Sequence, residues 1–208
     1  TKIKLLKHET TILKYLYEHN TRNIPAIYWY GIYNENVCLV MTLYDCSLYE
    51  YIHSRNDVDI SDSKIKSIIY QLVNILHSVH DNSVIHRDIK PENFLFGNER
   101  NKDLLYMIDY GFCKKYIVNG FHIKNKKRET IIGTPNFVSI NVMEGNEPSR
   151  RDDLESLVYL LISLLKGTDF LGEDLMGIEC MKQQFKATHK AKRMETQVDM
   201  CRDQAACL

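Results

Sequence analysis

Two short stretches carry residue types that could do chemistry together. They are His86 to Asn93, reading His-Arg-Asp-Ile-Lys-Pro-Glu-Asn, and Asp109-Tyr110-Gly111 downstream. Asp88 and Asn93 stand at the spacing of a phosphoryl-transfer loop, in which an Asp receives the proton of an incoming hydroxyl and an Asn holds a magnesium ion. Transfer of a γ-phosphoryl group passes through a loose transition state with charge spread over its oxygens, so the protein mainly supplies positioning and positive charge. Asp88 would orient the hydroxyl, and Lys90 would reach the γ-phosphate. Asn93 and Asp109 would give oxygen ligands to magnesium, a hard cation that prefers them and shares its shell with substrate phosphates. A lone His-Arg-Asp is usually a solvated loop. The joint occurrence of the eight-residue run, the apolar segment Leu104 to Ile108 and Asp109-Tyr110-Gly111 makes the reading specific.

These residues need elements to hold them. Ser61 is a plausible N-cap for a helix to about His80, with Ile65, Ile68, Ile69, Leu72, Ile75, Leu76 and Val79 on one apolar stripe; it would deliver the loop that begins near Ile85. Upstream, Ile3, Leu6, Leu13 and Leu16, with Thr10 on the same stripe, predict an amphipathic helix over Ile3 to Tyr17. Asn23 to Pro25 breaks it, and Ile27 to Tyr33 followed by Val37 to Leu43 reads as a hairpin across Asn34-Glu35-Asn36. Trp29, the single Trp, is expected to pack as core there. A further helix is expected from Asp153 to Lys166, with Leu154, Leu157, Val158, Leu161 and Leu165 in phase. His77, His80 and His86 show no metal-ligand spacing and read as structural, with His86 packed behind the catalytic loop.

A chain of 208 residues, 44% hydrophobic, can bury one sizeable core. Lys+Arg and Asp+Glu are both 27, so net charge argues for neither nucleic acid nor membrane partners. No apolar run reaches membrane-spanning length, and Thr1 to Lys14 lacks the apolar block of a signal peptide. The expectation is a soluble monomer, cytoplasmic with a nuclear location also open. Cys38, Cys46, Cys113, Cys180, Cys201 and Cys207 lack CxxC spacing and read as reduced thiols.

Asn93-Phe94-Leu95, Gly133-Thr134-Pro135, Ser139-Ile140-Asn141 and the run Ser149 to Leu157 resemble the casein kinase 1 family of serine/threonine protein kinases. Ser139-Ile140-Asn141 is the specific part, because most protein kinases carry Ala-Pro-Glu at that place. The resemblance covers about residues 5 to 167. The vaccinia-related kinases share Asp-Tyr-Gly but match less well elsewhere.

The resemblance implies an α+β, protein-kinase-like fold: a partial small lobe over residues 1–43, a mainly helical large lobe over 44–167, and a divergent tail over 168–208. It implies ATP and Mg2+ as cofactors and proteins as substrates. Met41 would border the adenine pocket, with Thr42, Leu43 and Tyr44 as hinge. Ser47 and Glu50 fall where the family contacts ribose. Leu95 would lie under the adenine ring, and Ile108 would touch the same nucleotide. Thr134 would hydrogen-bond Asp88 and Lys90, and Asp153 would brace the catalytic-loop backbone. Glu9 matches a helix Glu that pairs with a strand Lys. The chain shows neither that Lys nor a glycine-rich loop upstream of the first helix, which reads as a fragment or a degenerate copy.

Tyr110 replaces the usual Phe, and its hydroxyl must find a partner if buried. Arg87 would lack the phosphate partner it has in other kinases, since this family is generally active without one. Lys114, Lys115, Lys124, Lys126, Lys127 and Arg128 make the following segment basic. A solvated face is the bland explanation; the family supports a preference for acidic substrates. Asn136 stands where the family usually has an anion-binding Arg, so priming by phosphate is expected to be reduced.

The tail differs in composition. One Ala precedes residue 187 and four stand from Ala187 onward, all thirteen Tyr lie before residue 160, and no Asn follows Asn146. A catalytically silent kinase-like binding or regulatory module is the alternative function, favoured by the absent loop and Lys.

Overall fold

The computed structural model describes residues 2–54 and 60–166. The compositional change after residue 167 lies outside the described residues, as do Cys180, Cys201 and Cys207.

Helix α1, Lys2–Glu18, matches the predicted periodicity. Thr10, Ile12, Leu13 and Leu16 are buried, while Ile3 at the open end is 59% exposed. Strands β1, Ile27–Tyr33, and β2, Asn36–Met41, pair antiparallel from Tyr33 opposite Asn36 back to Ile27 opposite Met41. Asn34 and Glu35 both have positive φ. That is the condition of a two-residue turn whose twist matches the hairpin, so the loop is one residue shorter than expected. Strand β2 also stops two residues early, because the Thr42 amide turns to the Ala26 carbonyl and its hydroxyl accepts from the Ala26 amide. Trp29 is 44% exposed rather than core. A bulge between Ile27 and Trp29 shifts the strand's facing, and the indole lies over Gly31.

Helix α2, Leu48–His53, starts at a capping box made by Ser47 and Glu50. Helix α3, Asp62–Asp81, begins at Ser61, whose hydroxyl accepts from the Lys64 amide. Its face of Ile68, Leu72, Ile75, Leu76 and Val79 is buried, as predicted. Short antiparallel pairs follow: β3, Val84–Ile85, with β6, Lys114–Lys115; β4, Phe94–Phe96, with β5, Leu105–Met107; and β7, Ile117–Val118, with β8, Phe121–His122. Helices α4, Ile140–Met143, and α5, Arg150–Lys166, close the described chain. Helix α3 packs against α5, β3 and β5, so the buried faces meet beneath the loop at 86–93.

Helix α5 begins three residues earlier than expected and is rotated about its axis. Its buried side is Asp153, Ser156, Leu157, Leu160, Ser163 and Leu164, whereas Leu154, Val158 and Leu165 are 50%, 52% and 61% exposed. The polar anchors Asp152 and Asp153 fix this phase, because both carboxylates are drawn inward to the hydrogen bonds described below.

Candidate active site

Strand β3 feeds directly into the loop at His86. Its pairing of Ile85 with Lys114 and the β4 pairing of Phe94 with Met107 bracket residues 86–93 from both ends. Arg87 is left-handed, φ 72, an uncommon conformation for a residue with a Cβ. Asp153 holds it: Oδ2 accepts from the His86 amide at 2.7 Å and from His80 Nε2 at 2.9 Å, and Oδ1 accepts from the Arg87 amide at 2.8 Å. The expected brace is thus present in the geometry. His86 is fully buried, edge-on to Tyr110, with Nε2 on the Ile108 carbonyl and Nδ1 unpartnered among the described residues.

Asp88, Lys90, Asn93 and Thr134 form one hydrogen-bonded cluster. Thr134 donates to Asp88 Oδ1 from its amide at 2.9 Å and its hydroxyl at 2.8 Å. Lys90 Nζ lies 3.0 Å from Asp88 Oδ2 and donates to Thr134 Oγ1 at 3.1 Å. Asn93 donates Nδ2 to the Asp88 carbonyl at 2.8 Å and to Oδ2 at 3.3 Å. Burial pushes the Asp88 carboxyl up, but the bonds from Thr134 and Lys90 outweigh it and hold the group below its ordinary value. Asp88 therefore stays ionised at neutral pH.

Gly133 lets the segment reach the loop. Its φ is +104, and a Cβ there would stand 2.7 Å from the Arg87 carbonyl oxygen.

Asp109 is half-buried and left-handed, φ 61, with Oδ1 accepting from the Gly111 amide at 3.3 Å. The Ile108 amide donates to the Asn93 carbonyl at 2.9 Å, which fixes Asp109 beside Asn93. Because Asn93 spends Nδ2 on Asp88, its Oδ1 is uncommitted among the described residues. An amide oxygen and a carboxylate so placed fit a hard divalent cation that completes its shell with phosphate and water.

Helix α1 touches the same place. Glu9 Oε1 accepts from the Tyr110 amide at 3.2 Å, and no cation pairs with Glu9 among the described residues. Its carboxyl is pushed up by burial, with nearby Asp109 adding to the effect and the Tyr110 amide opposing it. Tyr110 is fully buried, and its hydroxyl has no partner among the described residues, contrary to the expectation that it would find one.

The proposed nucleotide residues share one strip. The Asp45 amide donates to the Phe96 carbonyl and the Phe96 amide to the Cys46 carbonyl, and Ser47 bridges Leu95. Met41, Thr42 and Tyr44 therefore lead straight to half-buried Leu95, with Ile108 next to Asn93. Leu43 is 81% exposed, its carbonyl accepting from Asn98. Ser47 and Glu50 are committed to each other: Glu50 Oε2 accepts from the Ser47 amide at 2.7 Å and hydroxyl at 2.9 Å. A cavity of about 490 Å³ elsewhere, lined by Arg22, Asn23, Gln71, His77 and Leu104 among others, contains none of these residues.

Sequence reasoning missed three anchors. Asp152 Oδ1 accepts from Ser139 Oγ at 2.7 Å and Asn141 Nδ2 at 3.0 Å, which gives the Ser-Ile-Asn triplet its physical role. Asn23 accepts from the Met107 amide and donates to the Leu105 carbonyl, holding the strand before Asp109. Glu147, 4% exposed, receives Lys114 Nζ at 2.7 Å and Arg128 NH1 at 3.2 Å, with Arg87 NH1 at 3.8 Å. Arg87, expected to lack a phosphate partner, thus has a carboxylate near it. Its remaining nitrogens reach the Phe112 and Cys113 carbonyls.

A family model described as the protein kinase domain matches residues 2–205 of the chain. No described helix is long and apolar enough to cross a membrane.

Proposed function

The chain belongs to the protein kinase family, and we propose that it transfers the γ-phosphate of ATP to serine or threonine hydroxyls of proteins, as a member of the casein kinase 1 type. The observation that carries this reading is the closed cluster of Asp88, Lys90 and Thr134, in which the segment at 133–134 is already docked on the catalytic loop. Asp88, ionised and with Oδ1 oriented by Thr134, accepts the proton of the incoming hydroxyl as the new bond forms. Lys90 balances its charge and stands within reach of an incoming phosphate. Asn93 Oδ1 and Asp109 would hold magnesium, which neutralises charge on the transferring phosphates. Met41, Thr42, Leu43 and Tyr44 would line the adenine side, Leu95 and Ile108 its floor, and Ser47 with Glu50 the ribose edge.

The proposed acidic preference rests on fewer cations than the sequence suggests. Lys114 and Arg128 are spent on Glu147, Lys115 stacks on Tyr15, and Lys127 donates to the Glu144 carbonyl. Lys124 and Lys126 remain exposed to meet acidic side chains.

The test is phosphate transfer from labelled ATP to matched Ser, Thr and Tyr peptides with acidic or neutral flanks. Ser and Thr peptides are expected to be modified, acidic ones faster, and Asp88→Asn to lose about 10²- to 10⁴-fold. Modification of Tyr alone, or an unaffected Asp88→Asn, would sink the assignment. A silent kinase-like module is the second reading, favoured by Glu9 having no cationic partner among the described residues. It predicts a cooperative unfolding transition that ATP and magnesium do not shift, and no transfer.

A further inference from the structure

Glu147 sits where three separate segments converge, one of them bearing the residue immediately before the proposed proton acceptor. Lys114 comes from the strand that pairs with β3, Arg128 from the segment leading to Thr134, and Arg87 immediately precedes Asp88. The backbone is knitted at the same point: the Glu147 amide donates to the Lys126 carbonyl at 3.0 Å, the Arg128 amide to the Gly145 carbonyl at 2.7 Å, and Lys127 bridges Asn146.

One carboxylate is buried among three cations, with Asp153 also acting on Arg87, and Arg128 Nε is a buried donor with no acceptor among the described residues. Convergent cations of this kind are what a phosphorylated side chain uses to order a loop. Here the anion is part of the chain, and it comes from the approach to α5 rather than from the segment being ordered.

We propose that Glu147 is a built-in anion that does the work of a phosphate, holding Arg87 and residues 126–128 so that Thr134 meets Asp88 without modification of the chain. Glu147 is then a positioning residue, acting on Asp88 through Arg87 and through the backbone of the 126–134 segment. Burial pushes its carboxyl up, but Lys114 and Arg128 outweigh this and keep it below the ordinary carboxylate range, so the anion is present at neutral pH.

The regulatory meaning rests on the kinase reading; the structural claim does not. Removing the carboxylate in Glu147→Ala leaves three cations facing a void of carboxylate size, and an inorganic oxyanion can take its place. The experiment is thermal unfolding of the full chain and of Glu147→Ala, with increasing sulfate against chloride at equal ionic strength. The variant is expected to melt lower than the wild type and to regain at least about 3 °C in sulfate, while the wild type shifts by less than about 1 °C.

A double variant, Glu147→Gln with Lys114→Gln, keeps the test decisive if Glu147→Ala does not fold. It should melt closer to the wild type than the sum of the single changes and respond less to sulfate. Equal sulfate stabilisation of wild type and Glu147→Ala, or additive single effects, would overturn the proposal. Peptide phosphorylation supplies the functional arm. Sulfate should restore part of the lost rate in Glu147→Ala at concentrations that leave the wild-type rate unchanged, which a purely structural loss would not show. Sulfate rescue of melting in a chain without transferase activity would keep the anchor and discard the kinase reading.

Discussion

Replacing Asp153 by Asn keeps the size of a buried side chain and changes only what it can accept. The native carboxylate, 2% exposed, takes three donors: the His86 amide, the Arg87 amide and His80 Nε2. In Asn one oxygen becomes an NH2 group. If Oδ1 stays with Arg87, the amide nitrogen faces the His86 N–H, a buried donor that then has no acceptor. An orphaned buried donor costs about 1–3 kcal/mol, and exchanging a charge-assisted bond for a neutral one at Arg87 costs roughly 1 kcal/mol more. His80 adds little, because its ring can switch tautomer and accept from the new NH2. The sum is about 2–4 kcal/mol, or a fall of roughly 4–16 °C in Tm for a domain of this size. Thermal unfolding followed by circular dichroism measures it, with amide exchange at His86 and Arg87 as the local readout. A fall below about 1 °C, or undiminished protection at both amides, would refute the claim that Asp153 holds the strained Arg87 backbone. A much smaller cost in a His80→Ala background would show that the imidazole does not adapt to the new NH2.

Tyr110→Phe removes a buried hydroxyl with no partner among the described residues; melting should rise by roughly 2–6 °C, and a fall would mean that the hydroxyl is satisfied by a bound water. Gly133→Ala forces a Cβ to 2.7 Å from the Arg87 carbonyl at φ +104; it should cost about 1–3 kcal/mol in unfolding and lower transferase rate, and an unchanged melting curve would contradict the close approach. Acid should unfold the protein through its depressed carboxylates. Asp88 and Glu147 are held low by their cations and hydrogen bonds against burial, so their contribution is complete above their unfolded values and disappears as pH falls below about 4. Glu9, raised by burial, has the opposite sign: its contribution is present below the unfolded value and lost as pH rises through the folded one. A melting temperature that rises continuously from pH 7 down to pH 3 would show that Glu9 outweighs the other two.

The cluster around Asp88 is legible because its residue types are few and closely spaced, and Thr134 hydrogen-bonds Asp88 and Lys90. Helix α3 was legible from its wide apolar stripe and Ser61. The buried face of helix α5 is turned away from the stripe of Leu154, Val158 and Leu165 expected from sequence. Its leucines admit two stripes of similar width, and the choice falls to Asp153, whose inward role depends on backbone donors that sequence does not display. Trp29 was misplaced by a bulge, which shifts facing without changing composition. Glu147 carried no local signal at all. Its partners lie at positions 87, 114 and 128, and only the folded chain brings those together.

The missed and recovered anchors share an origin. Glu147, Asp152 and Asp153 lie within seven residues of chain, all 4% exposed or less. Asp153 fixes the catalytic-loop backbone, Asp152 gathers Ser139, Asn141 and Ser149, and Glu147 gathers Arg87, Lys114 and Arg128. Burying three carboxylates is costly unless each is fully paired, and apolar replacements of matched shape would serve stability as well or better. Apolar packing, however, tolerates small slips of one segment past another, whereas a carboxylate with several fixed donors does not. The start of α5 is therefore better understood as a device for register than for stability. It sets three otherwise independent loops around Asp88, and the apolar interior of α3 and α5 supplies the rigid support on which that register depends. On this reasoning, loss of any one of the three carboxylates should disturb phosphate transfer more than its effect on unfolding alone would account for, because each governs where a loop sits as well as whether the chain is folded.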